Sequence, residues 1–183
     1  MSDPTSRETA LEQSAFDEWP PELRALFDGT ALAAKAGLTA SLVTIDANGH
    51  VRTSLLSAGE LYAPDSRTLC FALWPSSRAA RALHERAQAA LTFVHDEAFY
   101  QVQLDVQPLT NDDDAGEDDK RAAPGSLACF AGSIDTGESQ RVRYARLTSG
   151  ITFELDEGRE AVLDRWERQI EHLRQAASGA TGR

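Results

Sequence analysis

Ser77 and Arg78 stand where the apolar run Thr68–Leu73 gives way, through Trp74-Pro75-Ser76, to a helical pattern reaching about Gln88. A strand-to-helix junction leaves the first backbone N–H groups of the helix unpaired and carrying partial positive charge. A hydroxyl and a planar guanidinium beside them suit a phosphate, whose oxygens the guanidinium can grip in pairs. The same residues also have a plainer use. Ser is a preferred helix cap, and a first-turn Arg commonly faces water.

Other groups invite chemistry and have simpler readings. His95-Asp96-Glu97 is contiguous at a turn, where three adjacent polar residues face water more readily than they converge on a metal. The acidic run Asp112 to Asp119 lacks the spacing and closing Glu of a calcium loop and reads as solvated. Arg141, Arg143 and Arg146 could take an anion or offset the acidic loop, and the second reading is preferred. Arg81, four residues before Glu85, reads as a helix-surface ion pair. Arg52 reads as a cation on an open sheet face, and Trp74 as a core residue at a strand end. No Ser–His–Asp set or pair of facing carboxylates is recognisable, and no metal site is expected.

The elements that must position these residues follow from periodicity and turn chemistry. Pro20 and Pro21 open a helix-like segment that ends near Gly37, with Gly29 as an interruption. LTASLVTID and VRTSLLS flank Ala47-Asn48-Gly49-His50, a hairpin signal. A strand over about Thr68 to Leu73 precedes the helix, and ALTFVHD and FYQVQLDVQPL give two more. LACFAGSI and SGITFELD read either as short strands or as a helix followed by a strand. Val162, Leu163, Trp166, Ile170 and Leu173 recur at helical spacing in a helix over about Gly158 to Ala176. Residues 1–15 read as a flexible segment, 16–177 as one domain and 178–183 as a tail. The expected class is α+β and mainly β, a small curled or closed barrel with peripheral helices.

The totals narrow the function. The 183 residues suffice for one domain with a real core. A formal net charge of −11 argues against nucleic acid and anionic membrane surfaces as partners. No apolar run approaches the roughly 20 residues of a membrane span, and the first residues lack a secretory signal pattern. Cys70 and Cys129 lie in apolar runs and read as buried thiols. A cytoplasmic location is expected.

Two runs carry a family resemblance. HVRTSLLS (His50 to Ser57) and CFALWPSSRAARAL (Cys70 to Leu83), in this order and spacing, resemble the FMN-binding split-barrel family that includes pyridoxamine 5′-phosphate oxidase. The likeness covers roughly Leu38 to Leu109. It implies a six-stranded split barrel, and a homodimer with FMN at the subunit interface. Arg52, Ser77 and Arg78 would hold the phosphate, while Ser54 and Leu55 would run beside the isoalloxazine ring. Leu73 and Trp74 would sit at the strand end next to the flavin, and Gln101 would reach it from the partner subunit.

Departures from the family pattern concern the substrate side. Ser57 and Ala79 replace family lysines, and TNDDDAGEDDK replaces a phosphate-binding helix face. A true pyridoxamine phosphate oxidase is therefore not expected. The reading is an FMN-dependent oxidoreductase for a small molecule. The alternatives are a carrier or sensor of flavin, haem or F420, and a dimer that has lost its cofactor. The loop 111–125 is a candidate lid.

Overall fold

A computed structural model describes residues 11–109, 127–156 and 158–181. Eight antiparallel strands form one sheet: β1 Leu11–Phe16, β2 Thr39–Ile45, β3 Val51–Ser57, β4 Leu61–Tyr62, β5 Thr68–Leu73, β6 Gln88–His95, β7 Ala98–Leu109 and β8 Ala128–Val142. Their order is β3-β2-β6-β7-β8-β5-β4, with β1 added on β8. The helices are α1 Pro21–Arg24, α2 Arg78–Arg86 and α3 Arg159–Thr181. This is the split-barrel α+β fold, with eight strands instead of the expected six. The added pair, β1 and β4, are an exposed edge partner and a two-residue strand, too short or too polar to show as a period.

Alternation along the strands divides the apolar residues between two layers. Inside the curl, Leu42, Phe71, Leu91, Val102, Leu104 and Phe130 pack with Trp19, Leu23 and Phe27. Outside it, Trp166, Ile170, Leu173 and Ala176 of α3 lie on Cys70, Ala72, Cys129 and Ala131 of β5 and β8. Small residues on that outer face let a helix come close. The approach is tightest at Gly59, where a Cβ would fall 2.1 Å from the Trp166 ring.

Local chemistry explains the elements around the site. In the β2–β3 turn, Asp46 Oδ1 accepts from the N–H groups of Asn48 and His50, and Gly49 adopts a φ of 81°. α2 starts at Ser77, whose Oγ accepts from the Ala80 N–H at 3.1 Å. It ends at Ala87, in the left-handed region with φ 55°, and its buried side is Ala79, Ala80, Ala82 and Leu83. The β7–β8 register shifts between Gln103 and Leu104, an irregularity of the kind that bends a sheet.

Several expectations are corrected. Leu11–Phe16 is a paired strand, so the loose N-terminal segment does not extend to residue 15. The helical segment after Pro20 is one α-turn followed by a 3-10 turn, Ala25–Phe27, and the chain reverses at Gly29 with φ 73°. LACFAGSI belongs to the long β8, whereas Gly150 to Asp156 is irregular and packs Phe153 edge-on against Trp166. Helix α3 runs on through Thr181, into the expected tail. The acidic run and the candidate lid over 111–125 lie outside the described residues.

Candidate functional site

Two cavities draw lining residues from β3 and from the β5–α2 junction. The smaller, about 350 Å³, lies between the β2–β3 turn and α2 and is lined by Asp46, Asn48, Arg52, Arg78, Arg81 and Glu85. Both Nε and Nη2 of Arg52 lie 2.9 Å from Asp46 Oδ2. A guanidinium has five N–H donors, so this engagement leaves its other edge available. The His50 N–H above all, with Arg52 and the Asn48 N–H adding to it, holds the Asp46 carboxyl below its ordinary pKa against desolvation. Arg78 is exposed and makes no ion pair among the described residues. Arg81 donates to the Ser76 carbonyl at 3.2 Å. Three guanidiniums thus face two carboxylates, an arrangement that favours an anion.

Ser77 takes the capping role at the start of α2 and lines neither cavity. Its oxygen caps α2 by accepting from the Ala80 N–H, while its own hydroxyl proton remains free to donate.

The larger cavity, about 730 Å³, has mostly apolar walls, with Leu55 and Trp74 on one side and Phe153 and Trp166 on the other. Leu55 and Trp74 are 55% and 60% exposed, so both offer apolar surface to a ligand. This corrects the reading of Trp74 as a core residue. Arg52 and Leu55 lie three residues apart on β3, about 10 Å at roughly 3.3 Å per residue, with Arg52 on the inner side of the strand and Leu55 on the outer. Among the described residues β3 is also an edge of the sheet, paired only with β2. Part of its backbone N–H and C=O groups therefore face outward, free for a ligand.

Other predicted residues are placed apart from these. Leu73 is 5% exposed and turns into the barrel core. Ser54 shares the inner side of β3 with Arg52 and Leu56, and lines neither cavity through its side chain. Gln101 lies across the sheet, in the register row Leu55, Ser41, Thr92, Gln101. One chain therefore does not bring Gln101 to Arg52 and Arg78.

Sequence reasoning missed Arg81. Its spacing from Arg78 and Glu85, i+3 and then i+4, puts all three on one face of α2, and that periodicity was the available signal. The expected surface pair with Glu85 is replaced by the bond to Ser76. His95-Asp96-Glu97 is the tip of the β6–β7 hairpin, with positive φ at Asp96 and Glu97 as a two-residue turn requires. Its carboxylates meet Arg141 and Arg146, and Arg143 lies 2.8 Å from Glu12. The basic trio is thus engaged by the hairpin tip and β1.

No family model matches the chain. It is 29% identical over 149 residues to the uncharacterized protein YclD of Bacillus subtilis (strain 168), covering 81% of this chain and 91% of that protein. Among solved structures, HupZ of Group A Streptococcus is similar at 15% identity and a TM-score of 0.47, over 74% of this chain and 99% of that one. An FMN-binding protein from Syntrophomonas wolfei is similar at 16% identity and a TM-score of 0.43, over 63% and 86%.

Proposed function

We propose that this chain is an FMN-binding split-barrel protein and acts, as a homodimer, as an oxidoreductase for a small molecule. The observation that carries the reading is a basic cavity and an apolar cavity that both take walls from β3 and from the β5–α2 junction, Arg52 and Arg78 in the one and Leu55 and Trp74 in the other. That is the polarity of a flavin mononucleotide, a phosphate at one end and a flat ring at the other. In the basic cavity, Arg52, Arg78 and Arg81 neutralise the phosphate, and Ser77 offers a hydroxyl proton from the adjoining start of α2. In the apolar cavity, Leu55 and Trp74 pack the ring and shield it from water. The free edge of β3 supplies backbone donors and acceptors to the polar rim of the ring. FMN, when bound, supplies the hydride or electron transfer, and the protein supplies binding and orientation.

The dimer is supported by apolar surface that one chain leaves uncovered among the described residues. Ile45, Val51 and Leu55 share the outer face of β2 and β3 and are 44%, 64% and 55% exposed. A two-fold contact on this face would cover them and carry Gln101 of one protomer toward the ring site of its partner. Ser57, in place of a lysine, donates its N–H and hydroxyl to Glu60 Oε2, both at 2.8 Å, and offers a substrate phosphate no charge. This supports a substrate other than pyridoxamine phosphate. The reduced thiols of Cys70 and Cys129 fit a cytoplasmic location.

The test is FMN affinity in Arg52→Ala, Arg78→Ala protein, followed by flavin absorbance after desalting. Charge-assisted hydrogen bonds contribute about 1.5–3 kcal/mol each, so binding should weaken about a hundredfold or more. Undiminished affinity would overturn the phosphate assignment. A haem or F420 spectrum in the purified protein would replace FMN as the cofactor.

A further inference from the structure

The far wall of the larger cavity holds polar groups that the flavin reading does not use. Arg165, Arg168 and Gln169 project from α3 into it, beside the aromatic rings of Phe153 and Trp166. Arg165 and Arg168 are exposed and make no ion pair among the described residues. On the opposite wall Thr39 is 8% exposed, and its Oγ1 has no hydrogen-bond partner. Gln169 Oε1 is likewise buried and unpartnered. The cavity's carboxylate, Glu60, is turned onto Ser57.

Leaving such polar atoms buried and unpaired costs about 1–3 kcal/mol each, and native structures rarely keep them without a reason. Here two lie in one cavity, between aromatic walls and under two uncompensated guanidiniums. We infer that this end of the cavity is the substrate subsite and takes a flat, largely apolar anion, an aromatic carboxylate in chemical class. The carboxylate meets Arg165 and Arg168, while the ring lies between Phe153, Trp166 and the opposite wall. Polar substituents on that ring pair with Thr39 Oγ1 and Gln169 Oε1. A volume of about 730 Å³ lies within the roughly 300–1,000 Å³ of small-molecule sites, with room for a ligand next to the ring held by Leu55 and Trp74. The inference names the substrate class for the proposed flavin site and rests on that reading.

Calorimetric titration of the full-length chain with 2-naphthoate and its neutral counterpart 2-naphthamide, with and without saturating FMN, tests it. Naphthoate should bind at least about tenfold more tightly than naphthamide, since a lost charged hydrogen bond amounts to at least that factor. Arg165→Gln, Arg168→Gln protein should lose this preference, keep its naphthamide affinity and keep its FMN affinity. Both side chains are exposed, so folding is preserved, as circular dichroism checks. No naphthoate binding, equal binding of the two compounds, or an unchanged preference in the double variant overturns the inference. Naphthoate binding as expected in a protein that takes no FMN would overturn the flavin reading and leave the anion subsite standing.

Discussion

Single residues in this protein gain or lose reactivity through what surrounds them. Cys70 and Cys129 lie on the outer face of β5 and β8, beneath α3. Burial, with smaller contributions from Asp65 and Cys129, pushes the Cys70 thiol up to about 12, and burial pushes Cys129 up to about 11. Only the thiolate is a nucleophile, so both should stay silent toward a thiol reagent at pH 7 in the folded chain. In denaturant both should react fully, and mass spectrometry of the labelled protein measures each state. Rapid labelling of the native chain would show that α3 is not docked as described. The arginines show the opposite case. Arg141 and Arg146 are occupied by the hairpin tip, whereas Arg78 makes no ion pair among the described residues. Nothing in their local sequence separates these fates, because the partners come from distant strands.

At the scale of elements, α3 both closes the outer core and builds one wall of the larger cavity. Its seat depends on Gly59, which leaves the space that the Trp166 ring fills. Gly59→Ala should push Trp166 outward and destabilise the fold by about 1–3 kcal/mol, the range for overpacking. Amide exchange should then quicken in α3 while the β6–β7–β8 sheet stays protected. Leu173→Ala, a truncation of a side chain with no exposed surface, should cost about 2–5 kcal/mol in a denaturant melt. Equal exchange in wild type and Gly59→Ala would show that the close contact does not hold the helix. Elements with a strong local signature were legible from the chain itself. The β2–β3 hairpin followed from Asn48-Gly49, and α2 from its Ser77 cap and apolar spacing. β1 and β4 were not, because their strand character comes from the edges they pair with.

At the scale of the whole molecule, a sheet that curls upon itself has one outer face covered by α3 and another, on β2 and β3, that bears no helix among the described residues. That asymmetry underlies the proposed dimer. Ile45→Asp, Val51→Asp protein should sediment at half the mass of the parent, since buried charges at a two-fold contact are expelled. Its FMN affinity should fall with the dimer if the site is shared between subunits. A parent that sediments as a monomer while holding FMN would place the whole site within one chain. Among the described residues no helix is long and apolar enough to cross a membrane.

The sequence by itself determined what short-range physics can determine. Alternating apolar residues specified β2, β3, β5, β6 and β7, and a capped strand-to-helix turn put Ser77 and Arg78 at a point suited to an anion. Arg52 came from family resemblance, and the basic cavity keeps it beside Arg78. The tertiary structure decided which side chains converge. It turned Leu73 inward, since alternation assigns Leu69, Phe71 and Leu73 to one side of β5. It left Trp74 at the apolar cavity's mouth, added Arg81 to the basic cavity, and brought Thr39 opposite Gln169 across 130 residues of chain. A period in the sequence says which face a residue occupies. Only packing against a distant element says whether that face is a core, a water-facing surface or the wall of a site.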